Sequence, residues 1–135
     1  MIRVLIVDDQ PAFRRQLRAL LTRAGFDVVG EARDIAEAEK QVRDAHPDLA
    51  IVDVMLPEIN GLDGAPRLQA IAPALRTILV SAYHDRADLF RSAAKKVGAE
   101  AFIAKDDLDL QVVRAWKVPS EREKPNDDPA KGKGR

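Results

Sequence analysis

Val4-Leu5-Ile6-Val7-Asp8-Asp9 decides how this chain reads: four apolar residues in a row, then two acids. A strand with one wet face alternates apolar and polar side chains. An unbroken apolar run is buried on both faces, as in a parallel sheet covered by helices. The same pattern returns at Leu49-Ala50-Ile51-Val52-Asp53, at Ile78-Leu79-Val80-Ser81 and at Phe102-Ile103-Ala104-Lys105, with Val28-Val29 as a shorter fifth run. Helical periodicity fills the gaps. Phe13, Leu17, Leu20, Leu21 and Ala24 form one apolar face, ended by Gly25. Ile35, Ala38, Val42 and Ala45 form another, with Asp34 as N-cap and His46-Pro47 as its stop. Leu89, Phe90, Ala93, Ala94 and Val97 form a fourth, ended by Gly98. A short fifth helix runs from Leu108 to Trp116 and stops before Pro119. A third helix is expected between Asp63 and Leu75, starting late because Gly64 and Pro66 stand near its beginning. Strands alternating with helices predict an α/β domain, a doubly wound five-stranded parallel sheet in the order 2-1-3-4-5 with right-handed crossovers.

Composition narrows the class. The chain has 135 residues, 22 basic and 22 acidic, so its formal net charge is zero. That excludes a whole-chain basic footprint for nucleic acid. At 46% apolar it is not a disordered polyelectrolyte. With no cysteine, disulfides, thiolate metal sites and thiol nucleophiles all drop out. The first residues lack the shape of a signal peptide, and no apolar run reaches bilayer length. A soluble cytoplasmic protein is the expectation. Residues 1–117 read as one folded domain. Residues 118–135, with Pro119, Pro125, Pro129, Gly132, Gly134 and mixed charges, read as a flexible tail that cannot form an output domain.

The polar residues fall where this architecture binds ligands. Asp8 and Asp9 follow the first strand, Asp53 the third, Ser81 the fourth and Lys105 the fifth, all at carboxyl ends. In the order 2-1-3-4-5 the first and third strands are neighbours, about 4.8 Å apart, so three carboxylates converge. They repel one another unless something offsets the charge. Oxygen ligands without His or Cys suit a hard cation, most simply Mg²⁺. A metal, a lysine and a hydroxyl around one carboxylate are the parts that stabilise a transferring phosphoryl group, and the carboxylate itself can serve as nucleophile. Each residue alone is ordinary: an Asp after a strand is usually a cap or turn, a Ser a cap, a Lys solvated. The joint arrangement on four strand ends is what carries the argument.

That set resembles the receiver domains of two-component response regulators, whose fold is flavodoxin-like. The resemblance covers about residues 2–117. It rests on Val4 to Asp9, on Asp48-Leu49-Ala50-Ile51-Val52-Asp53-Val54-Met55-Leu56-Pro57 with Asn60-Gly61, on Val80-Ser81-Ala82, and on Gly98-Ala99 leading to Phe102 and Lys105. The resemblance implies that Asp53 is the phosphoacceptor. It implies that Asp9 binds Mg²⁺ directly, Asp8 mainly through water, and Met55 through its backbone carbonyl. Ser81 and Lys105 would contact phosphoryl oxygens. Phe102 would swing inward when Ser81 moves, and Pro57 and Gly61 would shape the loop after the phosphoacceptor. Met55 and Tyr83 border the path of the attacking water, and their bulk predicts a long phosphoryl lifetime. The implied partners are a sensor histidine kinase or a histidine phosphotransfer protein, and a downstream protein met by the face of the fourth helix, fifth strand and fifth helix. No direct nucleic-acid or membrane binding is implied, and the state is a monomer or a phosphorylation-dependent dimer.

On this reading the chain is a stand-alone phosphoprotein that catalyses only its own phosphorylation and dephosphorylation, not an enzyme with an external substrate. Competing readings are a Mg²⁺ phosphatase, which lacks the second acid that Met55 replaces; a pseudo-receiver that never becomes phosphorylated; and the receiver fragment of a DNA-binding regulator. Phe13, Phe26 and Phe90 read as core. Trp116 reads as half-buried, His46 as a helix stop, where a cation suits the helix dipole, and His84 as a loop residue beside the pocket.

Overall fold

The structure, a computed structural model, describes residues 1–83 and 86–120. His84 and most of the expected tail, residues 121–135, lie outside the described residues. The elements run β1 (Arg3–Val7), α1 (Pro11–Arg23), β2 (Asp27–Ala32), α2 (Ile35–Ala45), β3 (Leu49–Asp53), α3 (Gly61–Ile71), β4 (Arg76–Ser81), α4 (Ala87–Lys96), β5 (Ala101–Ala104) and α5 (Leu110–Ala115). The sheet order is β2-β1-β3-β4-β5 and every pairing is parallel. Fold class and order are as the sequence predicts.

Alternate residues of the central strands feed two separate apolar layers, because successive side chains of a strand point to opposite faces. Val4, Ile6, Leu49, Ile51, Ile78 and Val80 pack with Phe13, Leu17, Leu21, Val113 and Trp116 under α1 and α5. Leu5, Val7, Ala50, Val52 and Leu79 pack with Ile35, Ala38, Val42, Leu68, Phe90 and Phe102 under α2, α3 and α4. Burial on both faces is complete for the last four residues of β1 and for β3, whereas the edge strands differ. β2 is only partly buried over Val28–Glu31, and in β5 Ala101 and Ile103 are half-exposed, since each has a strand neighbour on one side alone.

Register then aligns the strand ends. Ile6 pairs with Ile51 and Val7 with Val52, so Asp8 leaves β1 beside Asp53 at the end of β3. Asp53 pairs with Val80, and Ser81 with Ala104, which places Ser81 and Lys105 on the next step of the same edge.

Several expectations are corrected. Helix α3 starts early, at Gly61, with Pro66 inside it. The start is set by tertiary contact rather than by propensity. The Asn60 side chain accepts from the Asp63 N–H at 2.9 Å, and the Gly61 N–H donates to the Val54 carbonyl at 2.8 Å. A Cβ on Gly61 would lie 2.2 Å from the Asp53 carbonyl oxygen, and one on Gly64 would lie 2.3 Å from the Ile35 side chain. The glycines therefore let α3 pack closely, at a cost in propensity that packing offsets. Leu89, expected on the core face of α4, is 66% exposed. Phe90 and Ala94, four apart, take the inward position, and the next residue on a helix lies about 100° away from it. Trp116, expected to be half-buried, is buried, and its carbonyl accepts from Arg76 Nη2 at 2.7 Å. His46 does end α2, as a cap in the left-handed region with φ 51°.

Candidate functional site

Three strand ends and one helix start build a charged pocket at the carboxyl edge of the sheet. Asp8 and Asp53 are 1% and 4% exposed, while Asp9 stands in solvent. Asp8 is pinned from its backbone: its N–H donates to the Ala32 carbonyl at 2.9 Å, and its carbonyl accepts from Arg14 Nη1 at 2.6 Å. Arg14 is held in turn by Glu31 Oε1 at 3.0 Å, and Arg18 grips Oε2 of the same carboxylate at 2.6 Å. The Asp8 carboxylate accepts from the Gln10 N–H at 2.9 Å, through Oδ1. Asp53 Oδ1 accepts from the Met55 N–H at 3.1 Å.

Lys105 stands at the centre. Its ammonium lies 2.7 Å from Asp8 Oδ2 and 3.4 Å from Asp53 Oδ2, and it donates to Gln10 Oε1 at 3.3 Å. The same ammonium sits 4.2 Å from the centroid of the Phe13 ring. The lysine is thus nearer to Asp8 than to Asp53. One cation does not balance this edge. Burial, and then the Asp8 charge beside it, push the Asp53 carboxyl up from an ordinary 3.8 to about 6, although Lys105 and the Met55 N–H pull the other way.

The donor set fits a hard divalent cation. Asp8, Asp9 and Asp53 each offer a carboxylate oxygen, and these atoms lie within 4.8 Å of one another. Asp8 Oδ2 is fully buried, and among the described residues it has no aligned hydrogen bond beside its ion pair with Lys105. One ammonium shared between two buried carboxylates, with a third acid beside them, leaves charge for a cation to neutralise, and oxygen-only ligands are what Mg²⁺ prefers.

The other sequence-predicted residues divide. Ser81 is fully buried, and its Oγ accepts from the Tyr83 N–H at 3.1 Å. Met55 and Tyr83 rim the pocket, 43% and 48% exposed, with the Arg86 guanidinium 5.8 Å from the Tyr83 ring centroid. Phe102 is buried and packed at a tilt on Phe90, with ring centroids 5.6 Å apart. Gln10, Arg14 and the ring face of Phe13 went unread at the sequence level. Phe13 read as core, which its burial bears out, but its contact with a lysine 92 positions away follows only from Lys105 reaching from the end of β5 across the sheet edge to the start of α1.

Comparison with known proteins gives one consistent result. A sequence profile described as the response regulator receiver domain matches residues 4–115. The chain is 37% identical over 113 residues to the chemotaxis protein CheY of Thermotoga maritima, covering 84% of this chain and 92% of that protein. It is 38% identical over 118 residues to a putative transcriptional regulator of Pseudomonas aeruginosa, covering 87% of this chain but only 56% of that protein. Among solved structures, a CheX–CheY–BeF3–Mg complex from Borrelia burgdorferi is similar with a TM-score of 0.76 at 28% identity, covering 87% of this chain and 90% of that one. Among the described residues, no helix is long and apolar enough to cross a membrane.

Proposed function

The chain belongs to the response regulator receiver domain family, a family of signalling domains, and on that premise we propose that it takes a phosphoryl group onto Asp53. The observation that carries the reading is the meeting of Asp53 with Lys105 and with the Asp8–Asp9 pair at one sheet edge. The donor is a phosphohistidine on a sensor kinase or phosphotransfer protein. An Asp53 carboxylate oxygen attacks phosphorus, an O–P bond forms and the N–P bond breaks. The departing imidazole keeps the electron pair, and solvent supplies its proton.

The chain's own groups prepare that step. Burial and the Asp8 charge make the Asp53 carboxylate a poorly stabilised anion, while the Met55 N–H fixes one of its oxygens. Lys105 presents a cation on the other oxygen, where phosphoryl charge develops. Asp8, Asp9, Asp53 and the Met55 carbonyl would hold Mg²⁺, which when bound neutralises phosphoryl oxygen charge as a Lewis acid. Ser81 is the hydroxyl that turns toward the phosphoryl group, giving up the Tyr83 N–H. The surface change is carried by Phe102 and by the face of α4, β5 and α5. The downstream partner is a protein that reads this face.

The chemotaxis relative, covered over 92% of its length, favours output by protein contact. The chain spans 56% of the length of the transcriptional regulator it matches, and the receiver fragment of a DNA-binding regulator is the less favoured reading. Intact mass after treatment with a small phosphodonor and Mg²⁺ tests the main reading. The expected result is one added phosphoryl group on the native protein and none on Asp53→Ala; equal modification of both would overturn it.

A further inference from the structure

Among the described residues the Lys105 ammonium has four partners, and three of them are oxygens: Asp8 at 2.7 Å, Gln10 at 3.3 Å and Asp53 at 3.4 Å. The fourth is the face of Phe13, 4.2 Å from ammonium to ring centroid. These partners differ in what phosphoryl transfer leaves of them. Asp8 belongs to the metal cluster, and Asp53 is the nucleophile, so both carboxylates turn to other cations or to phosphorus. The ring keeps its attraction throughout, because its negative face holds the ammonium without a lone pair for a metal to claim or a formal charge that phosphoryl transfer would change. Its place is fixed as well. Phe13 sits in the first turn of α1, four residues after Asp9, and is buried in the layer that includes Ile6, Ile51, Val80 and Leu108.

Resting on the reading that Asp53 is the phosphoacceptor, we propose that Phe13 is a positioning residue for Lys105, its ring face holding the ammonium beside Asp53 while the carboxylates engage metal and phosphoryl group. A packing residue and a cation platform are separated by changing the ring's electrostatics without its size. The experiment follows the rate of modification of the full chain by a small phosphodonor with Mg²⁺, read by intact mass. It compares the native protein, Phe13→Leu, and a protein with trifluorophenylalanine at position 13, with thermal melts of each. Fluorination withdraws electron density from the ring face at nearly constant volume. Phe13→Leu and the fluorinated protein are both expected to react roughly five-fold more slowly than the native protein, with the fluorinated protein melting as the native one does.

A native rate in the fluorinated protein, whether or not Phe13→Leu is slow, reduces Phe13 to packing and overturns the proposal. Failure of the native protein to accept a phosphoryl group overturns the phosphoacceptor reading, and the role of Phe13 falls with it. The native protein therefore tells the two failures apart.

Discussion

Replacing Asp53 by Asn should make this protein more stable at neutral pH and give no gain in acid. The Asp53 carboxyl is raised from 3.8 to about 6, first by burial and then by the Asp8 charge. Between those two values the native protein binds more protons at this site than the unfolded chain does. Stability therefore falls as pH rises through that window, and the full cost is present above it. At about 1.4 kcal/mol per tenfold change in proton affinity, the ionised carboxylate costs the native state on the order of 3 kcal/mol. The amide of Asp53→Asn keeps an acceptor for the Met55 N–H. It turns an NH₂ group toward the Lys105 ammonium, which offsets the gain by about 1 kcal/mol. A net gain of about 2 kcal/mol remains, or roughly 8 °C in Tm for a domain of this size. Paired melts at pH 7.5 and pH 4, with chelator present, read it directly. The gain should be present at the first pH and absent at the second, where the amide facing Lys105 leaves the variant level with the native protein or slightly below it, and Mg²⁺ should narrow the gap at pH 7.5 by stabilising the native protein alone. A variant less stable at pH 7.5, or a gain equal at both pH values, refutes the account of an uncompensated carboxylate.

Further predictions concern the frame around the site. Gly61→Ala drives a Cβ to within 2.2 Å of the Asp53 carbonyl oxygen. It should cost roughly 2–3 kcal/mol in denaturant unfolding and also weaken Mg²⁺ binding measured by calorimetry, because the residue displaced is a ligand. Arg76→Met leaves Glu100, whose side chain is 3% exposed, without the guanidinium that holds it by two hydrogen bonds at 2.5 and 2.9 Å. The expected loss is about 3–5 kcal/mol in chemical denaturation, larger than for any surface ion pair such as Lys40–Asp44. Replacing Met55 and Tyr83 together by Ala opens the rim where both stand half-exposed. Loss of the phosphoryl group, timed by intact mass, should become faster; an unchanged lifetime would show that these side chains do not hinder the attacking water.

The fold was legible because unbroken apolar runs and helical stripes say the same thing at every level. Val4–Val7 and Leu49–Val52 could be buried on both faces only in a covered parallel sheet, and the acids at their ends then had to converge. Helix α3 was harder to read, because its start depends on how closely Gly61 and Gly64 approach Asp53 and Ile35, a contact that propensity does not encode. Leu89 was misplaced for a related reason: apolar residues covered more of α4 than the core had room for. Within the site, residue types at strand ends pointed to Asp8, Asp9, Asp53 and Lys105. The pairing of Lys105 with Asp8 in preference to Asp53, and its seat on Phe13, depend on side-chain placement across elements far apart in the chain.

The central claim is that one carboxylate among three clustered acids is the phosphoacceptor. An acyl phosphate is reduced by borohydride to an alcohol, which marks the residue that carried it. After phosphodonor and Mg²⁺, reduction and peptide mass mapping should find homoserine at position 53, with Asp8 and Asp9 unchanged. Homoserine at position 8 or 9, or at none of the three in a protein that has gained the phosphoryl mass, would contradict the account.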